Sequence, residues 1–310
     1  MPAPFVLLML AIAAVWLPPL RVGARWHVAP WGLLYAAATG LALVQGYVGP
    51  AGVAALVALV GLAEVLRRQA RLPSGSAAPP VASPALYWSA FAALLVLAVA
   101  LSLHAVPGFR NPVAIDAVKF SEDGRAFTQY LNFDKGSVGL VLLALLAPRL
   151  HRGDAVLRTV GSTLLQTAVV AIAVLGLATA LGMIQWDPKW PPQTLQFLVT
   201  NLLLTCVAEE ALFRWMVQDR LAFGSRPPEQ ADAIAAPRWG GRPLTALVVS
   251  ALLFGAAHAG AGPGMIVVAT VAGLGYAAAY QWHRRIESAV LMHFGVNALH
   301  FVLFTYPLKA

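Results

Sequence analysis

Two adjacent glutamates, Glu209 and Glu210, stand inside the apolar stretch 194–222, with Arg214 four residues beyond them. A carboxylate in a hydrocarbon medium is costly, so its presence there points to function. Neighbouring helical residues project about 100° apart, which gives the two carboxylates different tasks. Glu210 and Arg214 lie one turn apart and can pair; Glu209 needs a partner of its own or a wet cavity. A second apolar stretch, 244–260, holds His258 one turn after Phe254. A third, 288–306, holds His293 and Asn297 on one helix face, with His300 further along. A carboxylate beside an imidazole can hold and deprotonate a water, and an imidazole and an amide on one face can donate to a developing oxyanion. The same residues allow a second chemistry, in which Glu209, His258 and His293 ligate a hydrolytic zinc that keeps water in its open position. Either arrangement hydrolyses an amide. Neither His-Glu-x-x-His nor Gly-x-Ser-x-Gly occurs, so the common zinc-protease helix and the serine elbow are absent. Plainer readings exist for each part: an interfacial charge patch for the glutamates, a packed histidine for His258, interhelical hydrogen bonding for His293 and Asn297. The combination on three helices favours a site.

The rest of the chain must position those three helices in lipid. Of its 310 residues, 59% are hydrophobic and 11% charged, with a mean hydropathy of +0.73, against roughly 25% charged in a soluble domain. So little charge cannot cover a water-facing surface, and the expected fold is an all-α, polytopic helical membrane bundle. Apolar segments fall at 4–20, 31–48, 51–66, 86–106, 136–148, 159–184, 194–222, 244–260, 265–282 and 288–306, which suggests about ten transmembrane helices. The first lacks a basic residue ahead of it and is read as an uncleaved span. With both termini outside, fourteen of the 21 Lys and Arg fall on the inner side, among them Arg21, Arg25, Arg71, Arg152, Arg220, Arg226, Arg238 and Arg284. Lys135 falls with Arg110, Lys119 and Arg125 in a long outer loop, 107–135. The formal charge of +8 therefore belongs to a membrane face, and nucleic acid is not an expected partner. The segment 72–85 reads as a linker, and 223–243, with Pro227, Pro228 and Pro237, as a second connection. One cysteine, Cys206, excludes an internal disulfide.

The patterns Glu209-Glu210-x-x-x-Arg214, Phe254-x-x-x-His258 and His293-x-x-x-Asn297, in that order and each in its own apolar segment, resemble the CPBP family, the CAAX-protease and bacteriocin-processing (Abi) proteins. The resemblance covers roughly 155–306, which divides the chain into an N-terminal transmembrane region, 1–154, and a CPBP-like core, 155–310. It implies an intramembrane endopeptidase acting on a membrane-associated protein or peptide. Carried over by position, Glu209 activates water with help from His258, while His293 and Asn297 stabilise the oxyanion. Glu210, Arg214 and Phe254 support them. The family's metal dependence has been argued both ways. No cofactor is the preferred expectation here, because Asn is a poor zinc ligand and a good donor; zinc is the alternative. The competing functions are a transporter using intramembrane Glu and His, and a non-catalytic immunity or scaffold protein. Ala-rich, Arg-over-Lys usage suggests a bacterial inner membrane as the location.

Overall fold

Prolines at the first or second helical position open several of the helices, where a missing N–H costs nothing and the fixed φ already suits the helix. The computed structural model describes residues 1–23, 26–69, 83–150, 155–225 and 239–310. Its helices are α1 (Ala3–Ala13), α2 (Pro30–Val44), α3 (Pro50–Gln69), α4 (Pro84–Ser102), α5 (Phe133–Leu145), α6 (Val156–Ala180), α7 (Thr194–Phe223), α8 (Gly241–Ala256), α9 (Pro263–His283) and α10 (Ile286–Leu303). Two antiparallel hairpins interrupt the helices: β1 (Leu20–Val22) with β2 (Trp26–Val28), and β3 (Val113–Val118) with β4 (Phe127–Tyr130). The helical bundle expected from composition is present, with these two short hairpins added to it.

Among the described residues six helices, α3, α4, α6, α7, α9 and α10, are long and apolar enough to cross a membrane. The expected ten segments are all helical, but ten spans do not follow. The 13 residues of α5 extend about 20 Å at 1.5 Å each, short of a hydrocarbon core of about 30 Å; α1, α2 and α8 are also short. The protein is a multi-pass helical membrane bundle. Leu157, Leu164, Leu165, Val169 and Ile172 of α6 and Val57 of α3 are exposed, as a lipid-facing surface requires. The linker 72–82, the connection 226–238 with its three prolines, and Arg25, Arg71, Arg152, Arg226 and Arg238 lie outside the described residues.

Short as it is, α5 sits at the centre of the N-terminal half. Every residue from Gly136 to Ala144 is buried, the mark of a helix enclosed on all sides. Two glycines let it reach α7: a methyl on Gly139 would come 2.9 Å from the Ala208 backbone, and one on Gly136 the same distance from Leu204. Its first turn is tied down by Asp134, which is 1% exposed and accepts hydrogen bonds from His104 Nδ1 (2.8 Å), Asn111 Nδ2 (3.0 Å) and the Lys135 amide (2.9 Å). Asn111 in turn accepts from the Phe133 amide at 3.0 Å. The β3–β4 hairpin closes over one end of α7 and α10 through Ile115, Phe120, Phe127, Phe197, Phe301 and Tyr306, with Phe197 and Phe301 stacked at 4.1 Å. In the adjoining turn before α7, the Ser121 hydroxyl and then Lys189 hold the Asp187 carboxyl below its ordinary range.

At the opposite end of α7 lies a buried ionic cluster. Asp219, 0% exposed, accepts from Arg284 at 2.5 Å, from the Tyr280 hydroxyl at 3.2 Å and from Arg220. Arg220 also donates to the Tyr87 hydroxyl of α4 at 2.9 Å. Guanidinium faces cover aromatic rings, Arg220 over Trp215 at 5.1 Å and Arg284 over Phe223 at 4.5 Å, which adds cation–π attraction in a dry setting. Arg220 and Arg284, expected among the inner loop charges, are instead core residues. Asp219 escaped the sequence reading because it stands at the boundary of its apolar segment.

Candidate active site

The glutamates belong to the middle of α7, on a four-residue α-helical stretch, Val207–Glu210, flanked by wider π-helical turns at Asn201–Cys206 and Ala211–Asp219. Such wide turns concentrate at functional sites, where they re-aim side chains. The two carboxylates lie together on the ordinary α-helical stretch between those turns and diverge by the usual rotation of about 100° per residue. Glu210 is 0% exposed and fully engaged: Oε2 accepts from Arg214 Nε at 2.7 Å, and Oε1 accepts from His293 Nδ1 at 2.9 Å. Arg214, equally enclosed, continues to the Ser250 hydroxyl of α8 at 3.0 Å, and that hydroxyl donates to the Phe213 carbonyl at 2.9 Å. One polar chain thus joins α7, α8 and α10. Glu209 retains 18% side-chain exposure and meets Lys135 of α5, whose Nζ lies 2.6 Å from Oε1. Its second oxygen has no hydrogen bond to a described residue. Of the two adjacent acids, only Glu209 can meet a water.

Aromatic rings fix the imidazoles. His293 stacks on Tyr276 of α9 at 4.7 Å and 16°, and the Phe254 edge stands 5.5 Å away. With Nδ1 donating to Glu210, His293 keeps Nε2 for the cavity. His258 Nδ1 donates to the Phe254 carbonyl at 2.8 Å, and its ring lies 4.8 Å from that of Phe254; its Nε2 is likewise free for chemistry. Asn297 Nδ2 donates to Asn201 Oδ1 at 3.2 Å and reaches the Cys206 sulfur, a weak acceptor, at 3.9 Å. Close helix crossings hold this geometry: a methyl on Gly273 of α9 would come 3.2 Å from Ala251 of α8, and one on Gly295 of α10 would come 2.6 Å from Thr167 of α6.

His258, His293, Asn297 and His300 share the wall of one cavity of about 70 Å³, together with Phe254, Tyr276 and the apolar side chains of α6 and α9. A space of that size holds water and a small part of a substrate. Three of the expected residues, His258, His293 and Asn297, therefore converge on this cavity, and Glu209 is not part of its wall. His258 and His293 lie within electrostatic reach of Glu209, but no direct hydrogen bond joins Glu209 to either among the described residues. Lys135, Asn201, Ser250 and Tyr276 are additions that the sequence reading missed. Asn201 and Ser250 were visible as polar residues in apolar stretches; Lys135 was assigned to the outer loop, and its place beside Glu209 corrects that. Among the described residues no three His, Cys, Asp or Glu side chains are grouped closely enough to hold a metal ion. Lys135 on Glu209 Oε1 leaves Oε2 as the one carboxylate oxygen of the set Glu209, His258 and His293 that is open to a metal.

Residues 191–299 match the family described as type II CAAX prenyl endopeptidase Rce1-like. This is the CAAX-protease grouping that the three motifs resemble, and all three lie within the matched segment. No curated protein and no solved structure gives a significant match.

Proposed function

With a CAAX-endopeptidase family matched over the segment that carries the motifs, we propose that the protein is an intramembrane endopeptidase that hydrolyses a peptide bond of a membrane-associated protein or peptide, with Glu209 as the base. The observation that carries this reading is the division between the two acids: Glu210 saturated by Arg214 and His293, Glu209 part-exposed, with one oxygen on Lys135 and the other without a hydrogen bond to a described residue. Water held between Glu209 and His258 attacks the carbonyl carbon and gives its proton to Glu209. The Glu210 carboxylate holds His293 by Nδ1 so that Nε2 faces the oxyanion, and the Asn297 amide donates to it as well. Collapse of the tetrahedral intermediate breaks the C–N bond as Glu209 returns the proton to the leaving amine. No step needs a metal, and the cell membrane of a bacterium is the setting that composition favours.

Two measurements test this. Peptide termini are compared in cells carrying the native protein and cells carrying Glu209→Gln at matched abundance. Termini that vanish in the variant support proteolysis and identify the substrate; identical profiles, with a phenotype retained on deletion, would sink it in favour of transport or scaffolding. The second is chelation. Activity of the purified protein is expected to persist within twofold (roughly) in EDTA or phenanthroline, since the reaction draws on side-chain acid–base chemistry alone. A loss restored by zinc would show the metal-free mechanism to be wrong.

A further inference from the structure

Lys135 lies outside the residues 191–299 that match the family, yet its ammonium is 2.6 Å from Glu209, with the two side chains 17% and 18% exposed. Three features hold it there. Gly139 brings α5 against the Ala208 backbone, next to Glu209 in sequence, and Gly136 brings it against Leu204. The buried Asp134 carboxylate accepts the Lys135 amide and is itself fixed by His104 and Asn111. Asn111 also caps the Phe133 amide. A flexible four-carbon stem rarely keeps one conformation on a surface; here a buried polar cluster anchors its backbone and a packed helix aims it.

We infer that Lys135 is a positioning residue of the active site: it pins Glu209 Oε1, turns Oε2 toward the water, and makes the N-terminal helices part of the catalytic apparatus. The inference rests on the proposed role of Glu209. The proton taken from water travels by way of Oε2 to the leaving amine. The same contact explains what the short α5 does, which is to carry one cation to the middle of α7.

The test uses the full-length protein in lipid–detergent micelles, with a farnesylated peptide ending in a CAAX sequence as probe, alongside Glu209→Gln. Lys135→Met is expected to lower kcat by about 10²-fold, the effect of misplacing a reacting group by about 1 Å, while KM stays within about twofold because binding is untouched. Lys135→Arg keeps the cation and recovers most of the loss. Thermal unfolding of Lys135→Met, Glu209→Gln and the double variant gives a readout independent of activity: each single change leaves a charge unpaired, so the double variant is expected to be more stable than the sum of the singles implies. Strict additivity, or a native kcat in a folded Lys135→Met protein, would overturn the inference and leave the role of Glu209 standing. Native activity in Glu209→Gln, or no cleavage by the native protein, would overturn both.

Discussion

Purified Glu209→Gln protein should lose about 10²–10⁴-fold in kcat, the span that a positioned general base supplies, with KM nearly unchanged. Gln preserves the shape of the side chain and its hydrogen bond capacity toward Lys135, and removes only the ability to accept a proton from water. The neighbouring substitution should behave differently. In Glu210→Gln the buried Arg214 loses its counter-charge and His293 loses the carboxylate that fixes its Nδ1. Activity falls through the oxyanion side, and so does stability. Combining Glu210→Gln with His293→Ala should cost little more activity than His293→Ala alone, because Glu210 reaches the reaction through that imidazole. Steady-state kinetics on the two singles and the double decide it. Equal losses in kcat at equal stability for Glu209→Gln and Glu210→Gln would refute the division of labour between the two acids.

The second large effect concerns stability. Asp219→Asn is expected to destabilise the protein by about 3–5 kcal/mol, the cost of removing one partner from a buried ionic cluster. Two guanidinium groups, Arg220 and Arg284, converge on that carboxylate within a shell of Tyr87, Trp215, Phe223 and Tyr280. With Asn in place, both remain where they are with a neutral acceptor between them. The added change Arg284→Met should recover part of the loss by removing one of the stranded charges. Denaturation in micelles measures this, and a change under about 1 kcal/mol for Asp219→Asn, the size of an exposed pair, would mean that the cluster is solvated.

Most residues of the candidate site were legible in the chain because lipid makes polar residues conspicuous. Glu209, Glu210, His258, His293 and Asn297 stand out against apolar neighbours, and helical spacing tells which of them share a face. Hydropathy alone does not tell where along the membrane normal a segment begins. Hence Lys135, one residue before an apolar run, looked like an outer-loop charge, although α5 starts beside the middle of α7. The same blindness affected Asp219, Arg220 and Arg284, whose place at segment ends suited solvent as well as core. Nor does periodicity reveal the π-helical turns around Val207–Glu210, since a widened turn is set by packing across helices and leaves no compositional mark. Length was the other ambiguity: among the described residues the ten apolar runs are helical, and six of those helices are long and apolar enough to cross.

Arg220 and Arg284 serve on two different occasions in the life of the chain. Insertion machinery weighs the arginines of a nascent chain before any tertiary structure exists, and acidic residues count for little in that weighing. Both arginines can therefore help fix which way α7 and α9 are threaded, while Asp219, close by on the same polypeptide, does not cancel them. Folding then withdraws the two cations from water and sets Asp219 between them. A topogenic signal becomes an internal tie. Asp219→Asn should accordingly leave the threading of the helices intact and strike only the assembly that follows.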